Sequence, residues 1–181
     1  MKDRKGFRIV LTAMLAAMVC VSTICIQIAS PVGGYINLGD ALVLMSGFML
    51  GPVYGGAAAG IGSALADIIT GYAYYAPGTL VIKAAIAAVA ALLARSLARR
   101  APRMALPLRL ALAGIPGKII MVAGYLFYAW LCLGYGPGAA ASVPGNLAQG
   151  AAGLVIAALL TPLLSRNREI RRLMEGFDHR D

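Results

Sequence analysis

The chain has 181 residues, of which 60% are hydrophobic and only 13% are charged. This balance is typical of a protein that crosses the membrane several times, and it leaves no soluble stretch long enough for a second domain. The sequence therefore predicts one integral membrane domain over residues 1–181. The net charge of +9 does not indicate a nucleic-acid partner, because Lys and Arg are concentrated in three clusters that flank apolar runs, at 2–8, 95–109 and 166–180.

The first apolar run covers residues 9–29. A cleaved signal peptide and a retained transmembrane helix are the two interpretations of this run. Its length of about 21 residues exceeds the roughly 7–15 apolar residues of a signal peptide, which favours the retained helix. Ala13 and Ala17 lie on one row of this helix at i, i+4 spacing. Since rows of small residues let helix backbones approach closely in lipid, the row indicates either internal packing or docking onto another membrane protein.

The dipeptide Gly51-Pro52 divides the next apolar stretch into two segments, 39–51 and 54–70. Each segment is shorter than the roughly 20 residues that a straight span needs. The sequence therefore predicts either two short packed helices or a re-entrant hairpin that is shielded by protein.

Three more spans are predicted in the second half of the chain, at 79–94, 110–133 and 146–164. The fold class is thus all-α, a membrane protein with six transmembrane helices, of which the second and third are short. The helices form a membrane core over residues 9–165, between two tails, 1–8 and 166–181.

The basic clusters decide the predicted orientation. With the amino terminus inside, all three clusters fall on the inner side of the membrane. The opposite loops contain no Lys or Arg: 30–38, 71–78 and 134–145. This is the positive-inside pattern, and it predicts a multi-pass protein of the bacterial plasma membrane with both termini in the cytoplasm.

A few polar side chains lie within these apolar segments. An ionisable group costs roughly 2.5–3.5 kcal/mol to insert into a membrane, so such groups are a functional-site hypothesis. The topology puts Asp40, Asp67 and Lys83 near the outer ends of their helices. Asn146 and Gln149 occupy the first turns of the last helix, on one face. We therefore expect a polar site that opens outward.

Two interpretations of these residues stay open at this point. Asp67 and Lys83 are either a structural ion pair or ligand contacts, and the two amides either bond between helices or contact a ligand. Most aromatic residues also fall on the outer side, where they form either an interfacial belt or a pocket that stacks a flat ring. Lys118 is the exception, because it is predicted to lie deeper, nearer the inner half.

The chain contains no pattern that indicates an enzyme. Gly117-Lys118 is followed by Ile119 instead of the Ser or Thr of a phosphate-binding loop. The single histidine, His179, lies in the charged tail, and the three cysteines lie in apolar runs without paired spacing. We therefore expect a protein that binds a compound, with no metal and no cofactor.

Two stretches carry a resemblance to a known family: GYINLGD to TLVIK, which includes GAAAGIGSALADIITGYAYYAPG, and the later PGNLAQG. They resemble the substrate-binding S components of energy-coupling-factor (ECF) vitamin transporters, in the group of the riboflavin S component with its pyridoxine- and pyrimidine-type relatives. The resemblance covers about residues 8–165. It implies six helices and an outward vitamin pocket capped by the first loop. With Tyr75 from the tyrosine-rich loop, the implied substrate-binding residues are Asn37, Asp40, Asp67, Tyr75, Lys83, Asn146 and Gln149.

The resemblance also implies partners. Ala13 and Ala17 match the family's Ala-x-x-x-Ala motif, which docks on a transmembrane coupling subunit that works with two cytoplasmic ATPases. The predicted function is capture of riboflavin, or of a pyridoxine- or pyrimidine-type compound, for ATP-driven uptake by an ABC importer. One alternative is a stand-alone, proton-coupled secondary transporter that uses Asp67, Lys83 and Lys118 as a relay. The other is a scaffold without a ligand.

Overall fold

The computed structural model of the protein describes residues 2–30, 35–168 and 170–171, and nearly all of them are helical. In chain order the elements are α1 (Lys2–Cys25), β1 (Gln27–Ala29), β2 (Tyr35–Asn37), α2 (Gly39–Ile69), α3 (Ala76–Arg100), α4 (Leu106–Phe127) and α5 (Val143–Leu164). A π-helical turn, Tyr128–Cys132, extends α4, and a 3-10 helix, Gly136–Ser142, leads into α5. The predicted tail from residue 172 onward and residues 31–34 of the predicted first loop lie outside the described residues.

Within the described part of the chain, five helices are long and apolar enough to cross a membrane. This confirms the prediction of a helical protein that crosses the membrane several times. The predicted count of six is not confirmed, because the second and third predicted segments both lie within α2. Most residues of α2 are buried, whereas in the other four helices most residues are at least partly exposed, as lipid contact requires. Thus α2 is the central helix, and it packs against α1, α3 and α5.

Helix α1 begins at Lys2 instead of residue 9, and α3, α4 and α5 also begin earlier than the sequence interpretation predicted. Pro77, Pro107 and Pro144 lie in the first turn of α3, α4 and α5, respectively. Proline is well tolerated there, because its missing N–H would have no partner inside the helix and its φ already suits one. The interpretation treated Pro107 and Pro144 as loop residues, which placed the starts of α4 and α5 too late.

Helix α2 is broken in the middle and folds back on itself. Gly51 has φ 80° and ψ −175°, which no helix contains. Across the break, the Ser46 hydroxyl, which donates to the Val43 carbonyl at 2.8 Å, also lies 3.1 Å from the Gly55 carbonyl and shares its proton with it. The two halves therefore run antiparallel, and Asp40 and Asp67, which begin and end α2, both interact with Lys83. The predicted break at Gly51-Pro52 is present, and both halves leave the chain at the same end of the bundle.

Basic residues gather at the other end of the bundle. The guanidinium of Arg8, near the start of α1, lies 5.7 Å from the ring centroid of Tyr54, just after the break in α2. The guanidinium of Arg95, near the end of α3, packs against Gly51 itself. We call this the basic end. Since Arg95 follows Ala76, the first residue of α3, by 19 residues, the start of α3 lies about 28 Å from Arg95 at 1.5 Å per residue.

The all-α prediction missed one short antiparallel hairpin. β1 pairs with β2, with Gln27 opposite Asn37 and Ala29 opposite Tyr35. Three-residue strands give no usable period in the sequence, and the prediction assigned the first strand to a helix and the second to a loop. The hairpin lies between α1 and α2, at the end of the bundle opposite the basic end.

The close packing of the two halves of α2 leaves no room for a side chain at Gly55. A Cβ at this position would come within 2.7 Å of the Gly47 Cα and would also meet the Ser46 backbone. We therefore expect Gly55→Ala to destabilise the protein by about 1–3 kcal/mol, as overpacking does, and to lower the thermal unfolding midpoint in detergent. Gly138→Ala is the matched control, because its Cβ would meet no described atom within 4 Å. Equal midpoints for the two variants would contradict the close packing of the two halves.

Candidate functional site

A buried carboxylate lies between two lysines near the start of α2. Asp40 is 1% exposed. Its Oδ1 accepts a hydrogen bond from Lys83 of α3, and its Oδ2 accepts one from Lys118 of α4 at 2.9 Å. We call these three residues the charge cluster. It joins three helices through one side chain, and Gly153 of α5 packs directly against Asp40 from a fourth helix.

The charge cluster bears on two of the sequence interpretations. Of the two interpretations left open for Asp67 and Lys83, the structural ion pair between them is not what the structure has, because Lys83 bonds to Asp40 instead. Lys118 was predicted to lie apart from the other polar residues, and it contacts Asp40. The physical reason is the same in both cases: a desolvated ammonium needs a carboxylate with good geometry, and Asp40 offers one oxygen to each lysine.

A cavity lies beside the charge cluster, at the end of the bundle opposite the basic end. Its empty space is about 550 Å³, including the part open to solvent. The cavity is lined by β2, by single residues after β1 and before α3, by the 3-10 helix and by four helices: Ser30, Tyr35, Ile36, Asn37, Asp67, Tyr75, Thr79, Tyr125, Ser142, Asn146 and Gln149. We call this the cavity end.

Strand β2 covers one side of the cavity and is held by two hydrogen bonds. The Tyr35 hydroxyl donates to Asp67 Oδ1 at 2.6 Å, and the Asn37 backbone N–H donates to Gln149 Oε1 at 2.9 Å. Burial, and then the bond to the carboxylate, raise the pKa of Tyr35 well above its usual value. The phenol therefore stays protonated and remains a donor, so β2 is joined to both α2 and α5.

The side chain of Asn37 has a structural task as well. Its Oδ1 accepts the backbone N–H of Gly39, the first residue of α2, at 2.9 Å. The first N–H groups of a helix have no partner within it, so this bond satisfies one of them. One residue thus fixes the start of α2 while its neighbours cover the cavity.

Within the described part of the chain, one oxygen of the Asp67 carboxylate lacks a hydrogen-bond donor. Asp67 is 5% exposed and lines the cavity. Among the residues that the structure describes, none makes a hydrogen bond of normal geometry to its Oδ2, although the Thr79 hydroxyl is near enough to the carboxylate to act as a weak donor. A buried acceptor without a donor is costly, commonly about 1–3 kcal/mol and more for a charged group. Asp67 therefore has the capacity to accept a hydrogen bond from a bound compound.

Tyrosines form an aromatic wall along the cavity. The rings of Tyr75 and Tyr125 lie 6.5 Å apart between centroids, and Tyr72 lies 5.0 Å from Tyr35. Burial raises the pKa of Tyr75 above its usual value, so its hydroxyl is neutral. The ammonium of Lys83 lies 5.5 Å from the Tyr125 centroid, so the wall also contacts the charge cluster. Such a wall can pack against a flat ring.

The structure brings most of the predicted substrate-binding residues together. Five of the seven line the cavity: Asn37, Asp67, Tyr75, Asn146 and Gln149. The other two, Asp40 and Lys83, lie beside it in the charge cluster. Contact of these residues with a ligand stays a prediction.

The sequence interpretation did not name Thr79, Tyr125 or Ser142, which also line the cavity. Thr79 precedes Lys83 by four residues, and Tyr125 follows Lys118 by seven, so both share a helical row with a lysine that the interpretation had noted. That signal was available in the sequence. Ser142 belongs to the 3-10 helix before α5, where no periodic pattern marks it.

The predicted docking row on α1 is exposed. Ala13 and Ala17 face outward, and Met14 and Met18 beside them are 58% and 50% exposed. The neighbouring row packs inward instead, since Ala16 is buried. Internal packing therefore does not explain the outward row in the described structure, and a binding role for it stays a prediction.

The charge cluster predicts an unequal effect of two substitutions. Asp40→Asn leaves two buried lysines without a carboxylate and should destabilise the protein by about 3–5 kcal/mol. Lys118→Met leaves the Lys83–Asp40 pair intact and should cost clearly less. Thermal unfolding of both variants in the same detergent measures the difference. The role of the cluster is contradicted if Asp40→Asn unfolds at the same temperature as Lys118→Met or above it.

Comparisons with known proteins identify the family of the chain. A family model for the ECF-type riboflavin transporter S component matches residues 5–166, which include α1 from residue 5 onward and every other helix and strand. A protein of Pyrococcus woesei, named "Uncharacterized protein in gap 3'region", is 34% identical over 150 residues, which are 82% of this chain and 95% of the relative. The matched family consists of vitamin-binding transporter subunits and not of enzymes. The protein belongs to the family of the ECF-type riboflavin transporter S component.

Proposed function

We propose that the protein is the vitamin-binding subunit of an ABC-type importer in a bacterial plasma membrane. Its cavity faces outward, its termini are cytoplasmic, and it delivers its ligand to partner subunits for ATP-driven uptake. The ligand is riboflavin or a pyridoxine- or pyrimidine-type compound. The observation that carries this proposal is the cavity at one end of a membrane bundle, lined by amides, a carboxylate and tyrosines, in a chain of the S-component family.

The charge distribution supports an outward cavity. The basic end contains Arg8 and Arg95, and the basic residues Arg99 and Arg100 occupy the last turn of α3. Basic segments beside membrane helices stay on the cytoplasmic side. With the basic end in the cytoplasm, the cavity end opens to the outside, where a nutrient is captured.

The lining supports a flat, polar ligand. The tyrosine wall offers an apolar face for a ring, and Asp67, Asn146 and Gln149 offer hydrogen-bonding groups beside it. Sites for small molecules combine these two features, because the apolar wall contributes most of the buried area and a few polar groups fix the orientation. Vitamins of the proposed classes have a heteroaromatic ring and polar substituents.

The exposed row on α1 supports a partner in the membrane. Lipid tails are as apolar as a helix surface, so helices associate in a bilayer through close backbone approach at small residues. Ala13 and Ala17 present such a surface, and they are exposed. We assign this row to the transmembrane coupling subunit, which joins the protein to two ATPases.

Asn146→Ala tests the binding site. The variant removes one amide from the cavity lining, and we expect a loss of affinity of about tenfold, the value of one hydrogen bond. Titration calorimetry of the purified protein with riboflavin and with pyridoxine measures it. Leu147→Ala is the matched control, because Leu147 is 56% exposed and is not part of the lining.

The binding experiment can also contradict the proposal. A folded Asn146→Ala protein with unchanged affinity would remove Asn146 from the site. No binding of either vitamin, together with no co-purified compound in mass spectrometry, would contradict vitamin capture. Uptake by the protein alone that collapses with the proton gradient would support the proton-coupled alternative instead.

Ala17→Trp tests the docking row. The bulky ring prevents close backbone approach, so we expect assembly with the coupling subunit and vitamin uptake to fall at least about tenfold, while the isolated subunit binds its ligand normally. Val81→Trp is the matched control, because Val81 is also lipid-exposed, at 66%, but lies on α3. Intact assembly of the Ala17→Trp variant would show that the partner binds elsewhere.

A further inference from the structure

The cavity has a negative charge of its own. Among the described residues that line it, Asp67 is the one carboxylate, and none is Lys, Arg or His. The tyrosine hydroxyls are neutral donors or acceptors, and the remaining polar groups are amides and alcohols. Any charged group on a ligand would therefore meet Asp67 first.

The neighbouring lysines are already engaged. Both ammonium groups bond to Asp40, and their side chains are 4% and 11% exposed. With one carboxylate and two lysines, the charge cluster has a net charge of +1, which attracts Asp67 through Lys83. The four groups together are neutral when all are ionised. The cavity and the charge cluster together therefore reach charge balance before any ligand enters, although the lining itself has only the negative charge of Asp67.

We propose that Asp67 sets the specificity of the site: it accepts a hydrogen bond from an uncharged ligand, and it discriminates against the phosphate monoester of the same compound. This inference rests on the proposed function and names the chemical class that the cavity takes. The unpartnered Oδ2 of Asp67 requires a donor such as a hydroxyl or a ring N–H.

A phosphate ester fits this site poorly for two reasons. At pH 7 the group has a charge of about −1.5 to −2 and only acceptor oxygens in its dianionic form. It would therefore lie near a carboxylate in a place shielded from water, where juxtaposed like charges are strongly unfavourable. Release of Lys83 or Lys118 to meet the phosphate would leave one oxygen of Asp40 without its donor, which is costly in a buried position. An uncharged ligand has neither difficulty.

Paired ligands test the inference. The probes are riboflavin with riboflavin 5′-phosphate, and pyridoxine with pyridoxine 5′-phosphate. If the full-length protein in detergent binds the vitamin of a pair, we expect it to bind the phosphate ester at least about 100-fold more weakly than that vitamin. Asp67→Asn removes the charge but keeps the shape of the side chain. We expect this variant to reduce the ratio of the dissociation constants, ester over vitamin, at least about tenfold. Part of that change arises because the parent vitamin binds less tightly without the carboxylate.

A second variant changes the ratio in the opposite direction. Asn146→Asp adds a carboxylate to the same lining, so the ratio of the two dissociation constants should rise above that of the unmodified protein. This variant and the unmodified protein give a result even if Asp67→Asn fails to fold. Equal affinities for vitamin and ester in the unmodified protein would overturn the inference, as would an unchanged ratio in folded Asp67→Asn. In both cases the proposed function stands, whereas failure of every parent vitamin to bind would contradict that function as well.

Discussion

The pairing of one buried carboxylate with two lysines is the interaction on which the cavity end of the bundle depends. Charged groups inside a membrane protein must be neutralised within the protein, because lipid offers them no partner. Asp40 meets both lysines, so the start of α2 is fixed against α3 and α4. Gly153 brings α5 against the same side chain. These contacts hold four helices in register. Apolar contacts alone would leave the helices free to slide in lipid.

The break at Gly51 also brings the last turn of α2 back to the charge cluster. Because α2 folds back, its last turn returns to the end where its first turn began, and Asp67 comes to lie beside the charge cluster. A straight helix of 31 residues would separate Asp40 and Asp67 by about 40 Å at 1.5 Å per residue. The hairpin therefore produces a site with two carboxylates in different states. Asp40 is saturated by lysines, whereas Asp67 has one bond to Tyr35 and one unpartnered oxygen.

Sequence patterns predicted the parts of this structure that depend on local chemistry. Apolar runs and the Gly51-Pro52 dipeptide located the membrane helices and the break in α2, and isolated polar residues located most of the cavity lining. The choice of ion-pair partners was not predictable in the same way. Asp40 and Asp67 are both within reach of Lys83 once α2 folds back, and only the packing of α4 brings Lys118 to Asp40. The β1–β2 hairpin was missed because three-residue strands have no detectable period.

The course of the chain connects the two surfaces to which the proposal assigns binding. One residue separates the end of α1 from β1, and β1 pairs with β2, which covers the cavity. The row of Ala13 and Ala17 lies on the same α1, on its exposed side. A partner on this row and a ligand beneath β2 would therefore act on one continuous segment. If that segment has two arrangements, each binding event changes the free energy of the other by the same amount, since coupling between sites is reciprocal. The bonds of β2 to Asp67 and Gln149 are the contacts whose strength sets that coupling.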